Sequence, residues 1–287
     1  MKLSASLGLI SDLRAAVRVA ALPTLQAIFY SPSLVLRPAL LSRTFMAAVW
    51  AAFSGPTDEG ARPAKLTLIP QATGAVLDIG AGHGHSIDYF NRAVVTAYIV
   101  LEPNELMHDA IRVRANGGLF PFFSTPLPNL FTAAGYNEEN GTLLILRGCG
   151  AEDTSMILAQ LAGANLRVNT MLSIMTLCSI PDPQENISRL VREVLEPGGR
   201  LLFYEHVLSP RADVAWWQRF WTPLWRLAFD GCCLDRPTHL WIDAMEDKDK
   251  GGESVSMWSE RELWGKEGEP EEHLFWHRVG KFVKHSD

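Results

Sequence analysis

The residues best suited to chemistry begin in "AVLDIGAGHGHSIDYF", residues 75–90. Gly80, Gly82 and Gly84 alternate with other residues at the end of an apolar run, and Asp78 precedes them. Glycines at a strand-to-helix turn let backbone approach a ligand and point free N–H groups at it. Dinucleotide sites use G-x-G-x-x-G, whereas position 85 is His85. A carboxylate before the loop suits a ligand with a cationic amino group and would repel a pyrophosphate. Glu102 ends the next apolar run, where a carboxylate can accept both hydroxyls of a ribose, a feature shared with nicotinamide dinucleotide sites. S-adenosylmethionine has the ribose, the amino group and a sulfonium. His83 either contacts that ligand's carboxylate or projects away. His85 is expected to be exposed at the start of a helix.

Other chemistry-bearing residues lie downstream. "GAED", residues 150–153, follows a strand pattern, where an acid can contact a purine. His206 ends another strand, the place where open α/β sheets gather reactive groups. It could take or orient a substrate proton, or bond a backbone carbonyl. Glu205 could orient His206 or hold the following loop. Asp230, in "FDGCC", could line a pocket or form a turn before Gly231. Cys149, Cys178, Cys232 and Cys233 contain no C-x-x-C, so neither a zinc site nor a disulfide framework is expected. Buried packing is the simpler role for them, in a reducing compartment.

The elements that position these groups follow from hydrophobic periodicity. "AVLDIG", "TAYIVLEP", "GTLLILRG", "VNTMLSIMTLCSI" and "RLLFYEHV" read as five strands. Pro103 stops the second and Pro181 the fourth. Helices are expected from Ser86, near Glu105–Ala115, over 154–163 and over Asn186–Leu195, with "PGG" as a turn. Strands alternating with helices imply a Rossmann-like, doubly wound α/β sheet. Residues 12–30 and 38–53 read as helices of an N-terminal extension, and "SGPTDEGARPAK" as a polar linker. The proline- and phenylalanine-rich stretch 116–135 could be a hydrophobic lid, an insertion or a gene-model error, with poor order expected. Residues 246–254 read as a charged, flexible loop. Trp217, Phe220, Trp221, Leu224, Trp225 and Ala228 recur at helical spacing, as a core stripe, a lid or a membrane-facing surface.

Taken together, these residues resemble the class I S-adenosylmethionine-dependent methyltransferases: D-x-G-x-G-x-G, a strand-end acid, a loop acid, then "LEPGG" before strand five. The resemblance implies seven strands with the last antiparallel, and S-adenosyl-L-methionine as cofactor. It places Asp78, Gly80, Ala81, Gly82, His83, Gly84, Glu102, Pro103, Ala151, Glu152, Asp153 and Thr176 in the cofactor cleft. "TLCSIPDP", "EHV", the Trp-rich segment and "FDGCCL" further resemble the methyltransferase-like family of membrane-associated alkyl thiol methyltransferases, most closely a fungal branch. That implies a small apolar thiol as acceptor, with a phenol next, and His206, Glu205 and Asp230 as catalytic candidates, without a metal. The insertion and the N-terminus depart from the family pattern. A non-catalytic binding protein on the same fold is the rival from another class, and a protein or lipid methyltransferase a third reading.

The bulk numbers agree. The chain has 287 residues, 47% of them apolar, enough for one large domain with additions or at most two. The expected division is an extension over 1–60 and a domain over 61–287, with a cofactor core at 72–207 and a substrate side at 208–245. Net charge is -6, which argues against nucleic acid. Lys2, Arg14, Arg18, Arg37 and Arg43 face only Asp12 within residues 1–50. Val19–Leu36 carries no charge, but Pro23 and Pro32 interrupt it. A packed or membrane-surface segment is therefore expected there rather than a spanning helix. The expected location is cytoplasmic, with peripheral contact to a membrane such as the endoplasmic reticulum. The oligomeric state is left open.

Overall fold

The computed structural model describes residues 6–117, 136–139, 141–248 and 251–286. Strands β1 (Gly74–Ile79), β2 (Val95–Leu101), β3 (Leu143–Ile145), β4 (Val168–Ile174) and β5 (Leu195–His206) are joined by β8 (Trp258–Gly265) and β9 (His277–Lys284). They form one seven-stranded sheet of order β3-β2-β1-β4-β5-β9-β8. β1 to β5 run parallel, and β9 is antiparallel to both β5 and β8. This is the class I methyltransferase topology. Strand order reverses at β1, between β2 and β4, so a crevice opens beyond the C-terminal ends of those strands.

Alternation along the strands feeds two cores. Leu77, Ile99, Met171 and Phe203 pack on one face, and Val76, Tyr98, Leu172 and Tyr204 on the other. Helices α3 (His108–Ala115), α4 (Thr154–Gly163) and α5 (Pro183–Glu193) follow the strands, as the crossover rule requires. The substrate side adds α6 (Ala212–Ala228) and α7 (Thr238–Asp243).

The N-terminal extension consists of α1 (Gly8–Tyr30), a short 3₁₀ turn (Pro32–Leu36) and α2 (Pro38–Leu68). No described helix is long and apolar enough to cross a membrane. Leu9, Ala16 and Ala20 of α1 share a third core with Val49, Cys178, Trp225, Phe229 and Cys232. The extension is thus docked across the sheet's C-terminal edge. The tryptophan stripe divides on α6. Trp225 is buried and the Trp221 indole donates to the Ser6 carbonyl, whereas Trp216, Phe220, Leu224 and Leu227 are exposed.

Several expectations need correction. "SGPTDEGARPAK" is not a linker, because α2 runs through it with Pro56 and Pro63 inside. Its polar residues are used: Lys65 Nζ donates to Asp58 Oδ1 at 2.6 Å, and the Tyr89 hydroxyl donates to Asp58 Oδ2 at 2.8 Å. The expected helix from Ser86 is one 3₁₀ turn, His85–Tyr89. His85 is buried, not exposed, 3.8 Å from Asp58. β4 ends at Ile174, well before Pro181, because Met175 takes φ +55° and turns the chain. "PGG" lies within β5 as a register irregularity. Within 246–254, β6 (Glu246–Lys248) pairs antiparallel with β7 (Ser254–Ser256). Of the 116–135 stretch, residues 118–135 lie outside the described residues.

Candidate active site

The glycine loop follows β1. Gly80 has φ +65°, and a Cβ there would lie 2.2 Å from the Thr176 methyl. Thr176 itself donates from Oγ1 to the Gly80 carbonyl at 3.2 Å. Only glycine fits both the dihedral and the approach. Glu102 pins the loop from β2. Its Oε2 accepts from Gly82 N at 2.8 Å and its Oε1 from Asn104 N at 2.9 Å. Burial raises the Glu102 carboxyl to about 7. Gly84 packs against Ile111. His83 turns away from the loop mouth toward α2, its Nδ1 3.2 Å from Ser54 Oγ, and burial lowers it to about 4.

Among the described residues, two of the buried polar atoms facing this loop lack a hydrogen-bond partner. One is Asp78 Oδ1, whose companion Oδ2 accepts from the Tyr98 hydroxyl at 2.8 Å. The other is the Trp50 indole N–H, on α2 beside Gly82. Burial raises Asp78 to about 6. An orphan carboxylate oxygen and an orphan donor at one loop suit an amino-acid end group, cation to one and carboxylate to the other. Beyond Glu102 lies a cleft of about 650 Å³, bordered by Pro103, Gly150, Glu152, Asp153 and Arg43. Asp153 Oδ2 accepts from Gly150 N at 2.9 Å and shapes that loop, and Ala151 is buried behind it. These groups fit S-adenosylmethionine: Asp78 would hold its methionyl end and Glu102 its ribose.

A second cavity, about 410 Å³ and mainly apolar, lies under α1 and α2. Trp50, Phe53, Tyr204, Trp225, Phe229 and Phe275 wall it. It shares Trp50, Thr57 and Met175 with the pocket at Asp78 and Gly80, so the two spaces abut. Its size suits a small molecule. The polar side chains on its wall include Cys178, His206, Cys232, Lys266, His273 and His277.

The three catalytic candidates separate. His206 is on the wall, its Nε2 3.4 Å from Cys232 Sγ. Glu205 points the other way and is fully buried. It accepts from Ser173 Oγ at 2.7 Å, Thr176 N at 3.0 Å and Leu177 N at 3.1 Å, and so holds the turn after β4. Burial raises it to about 8. Asp230 is not among the described residues lining this cavity. At φ +45° it forms an ion pair with Arg43 at 3.7 Å, and its N–H donates to Ser42 Oγ. It ties the substrate side to α2.

One constellation is not legible as a site in the sequence. His277 lies directly opposite His206 in the β5–β9 register. Its Nδ1 is 2.5 Å from Glu269 Oε1, its N–H donates to Glu269 Oε2 at 2.7 Å, and its ring stacks on Tyr204. Burial alone would raise Glu269, but hydrogen bonds from His273 and His277 outweigh it and hold the carboxyl down at about 2. Burial lowers His277 to about 4, so its imidazole is neutral near pH 7. With Glu269 ionised, the ring proton sits on Nδ1 and the accepting lone pair on Nε2. The spacing of Glu269, His273 and His277, four residues each, was the available signal, but a strand tail hides it.

Fold and cleft together define a class I S-adenosylmethionine-dependent methyltransferase. The chain matches the family described as "Methyltransferase domain" over residues 53–245, and it belongs to that family. Its methyl donor is S-adenosylmethionine. Among curated proteins it is similar to human thiol S-methyltransferase TMT1B, 41% identical over 85 residues, which is 29% of this chain and 33% of that protein. Human thiol S-methyltransferase TMT1A is 42% identical over 73 residues, 24% of this chain and 28% of that protein. The matched part thus spans about a third of the relatives' length. Among solved structures, an O-methyltransferase family protein from Burkholderia thailandensis aligns with TM-score 0.48 at 11% identity, over 86% of this chain and 60% of that chain. A Leishmania major S-adenosylmethionine-dependent methyltransferase aligns with TM-score 0.48 at 14% identity, over 86% and 82%.

Proposed function

We propose that this protein methylates small apolar thiols. The observation that carries the reading is the aromatic-walled cavity abutting the glycine loop, with a carboxylate-oriented imidazole on its wall. Similarity to thiol S-methyltransferases over part of the chain supports the acceptor class. Bound S-adenosylmethionine would supply an electrophilic methyl on a sulfonium for direct displacement by the acceptor sulfur, with Asp78 and Glu102 holding it. The chain's own work is alignment and exclusion of water. Trp50, Phe53 and Phe229 give the acceptor an apolar seat. His277, lowered to about 4 and so a weak base, accepts a hydrogen bond from the thiol on Nε2 and orients its sulfur, with Nδ1 held by Glu269, while the proton passes to solvent. A thiol of pKa about 8.5 needs only modest help near neutrality. A phenol, near 10, is ionised far less at neutrality, which makes phenols the second acceptor class.

The test is a panel of alkyl thiols, aryl thiols and phenols with purified protein and S-adenosylmethionine. The expected order of kcat/KM is thiols above phenols; phenols alone as substrates would overturn the thiol assignment. Peripheral contact with a membrane is part of this reading. Leu22, Leu25, Phe29, Tyr30 and Leu36 are exposed at one end of the extension, beside Arg18 and Arg37. Flotation with anionic vesicles should carry the protein, and recovery only in the vesicle-free fraction would refute this.

A further inference from the structure

The spacing of the cysteines argues against a zinc site, yet the fold brings two of them to one histidine. Cys178 follows the turn after β4, His206 ends β5, and Cys232 follows α6. Cys232 Sγ lies 3.4 Å from Cys178 Sγ and 3.4 Å from His206 Nε2, and all three ligand atoms lie within 4.8 Å of one another. Zinc–sulfur bonds of about 2.3 Å and zinc–nitrogen bonds of about 2.0 Å give tetrahedral edges of roughly 3.5–3.8 Å. The two 3.4 Å spacings need only a few tenths of an ångström of adjustment. All three residues are buried, and all three border the acceptor cavity.

The frame around them is built independently of any ion. Glu205 holds the backbone of Thr176 and Leu177. Cys233 N donates to the Cys178 carbonyl at 3.0 Å and locks the two cysteine loops together. Arg236 Nη1 donates to the carbonyls of Leu177 at 3.1 Å and Ile180 at 2.7 Å.

We propose that Cys178, His206 and Cys232 bind one zinc ion as a three-ligand site, with its fourth position open to the cavity, and that the acceptor thiol binds there as thiolate. Two soft sulfurs and an imidazole favour zinc over hard cations such as magnesium or calcium. Three protein ligands with one open place is the pattern of a catalytic rather than a structural zinc. On binding, the thiol loses its proton to solvent as its sulfur replaces a zinc-bound water. After methylation the neutral thioether is a weak ligand and leaves. No oxidant or reductant is involved. The thiol-holding role rests on the acceptor class proposed above; the metal site does not. His206 is then a ligand, and His277 keeps the role of orienting the thiol by a hydrogen bond.

The test begins with elemental analysis of protein purified without a polyhistidine tag or chelator. About one zinc per chain is expected. Cobalt(II) replacement should give a thiolate-to-cobalt charge-transfer band and tetrahedral visible bands, and an alkyl thiol alone, without methyl donor, should shift the visible bands. Cys178→Ser and Cys232→Ser should lower zinc content at least tenfold, while Cys149→Ser retains it. Should the variants fail to fold, the wild-type metal content and cobalt spectrum still decide. A wild-type protein that takes up neither zinc nor cobalt overturns the proposal. So does a native Cys178–Cys232 disulfide, seen as the loss of two hydrogens in the intact mass. Metal-free protein that methylates thiols at full rate removes the ion's role and leaves the thiol assignment standing. Metal-loaded protein that methylates phenols but no thiol does the reverse.

Discussion

Asp78 and Glu102 carry the cofactor assignment, and burial raises them to about 6 and about 7. Each takes up a proton as pH falls through those values and then no longer complements a cationic amine or accepts from a ribose. Affinity for S-adenosylmethionine should therefore rise with pH, falling up to tenfold per unit between about 7 and 6 and up to a hundredfold per unit below about 6. Glu102→Ala should weaken binding about tenfold or more and flatten the profile above pH 6; unchanged affinity by calorimetry would refute the ribose assignment. At the cavity wall, His277→Ala should slow phenol methylation by about a hundredfold or more, and thiol methylation less, because a thiol ionises more readily. Equal losses for both acceptors would count against His277 as the group that orients the acceptor. Asp78, the glycines and Glu102 were legible in the sequence because backbone geometry and charge dictate them locally. His277 and Glu269 were not, because antiparallel pairing with β5 brings them to the site from the far end of the chain.

At the scale of elements, periodicity placed all five parallel strands, and α4 falls on the residues expected. It failed at α2. Proline in a helix interior costs roughly 3 kcal/mol, so Pro56, Pro63 and a run of polar residues read locally as a linker. Tertiary contacts override that cost. Ala61 and Leu68 are buried, and the same turns hold the Lys65–Asp58–Tyr89 cluster. Lys65 stands seven residues from Asp58, two turns along one face, and both side chains are largely shielded from water. Lys65→Met removes the positive partner and leaves the Asp58 carboxylate buried. Destabilisation of about 3 kcal/mol is expected in chemical denaturation. A loss under about 0.5 kcal/mol would mean that α2 is held by its apolar face alone.

For the whole molecule, the N-terminal extension is part of the site rather than an appendage. Ala15 and Ala16 of α1, with Met46, Val49, Trp50 and Phe53 of α2, line the aromatic cavity proposed to hold the acceptor. Ala16→Phe should narrow that space, raising KM for long-chain thiols at least tenfold while leaving methanethiol within about threefold. A uniform change across chain lengths would show that α1 does not bound the acceptor. Composition alone could suggest a membrane-facing or packed segment for residues 1–50, but not that it closes over the sheet edge, because that depends on the third core with Trp225 and Phe229.

The central claim is that the cleft at the glycine loop delivers a methyl group into the aromatic cavity beside it. Incubation of purified protein with methyl-labelled S-adenosylmethionine and a simple alkyl thiol tests this most directly. Label should appear in the thioether, with one equivalent of S-adenosylhomocysteine formed per product. Saturable binding of the donor with no label in any thiol or phenol would contradict the account and leave only a binding protein on a methyltransferase fold.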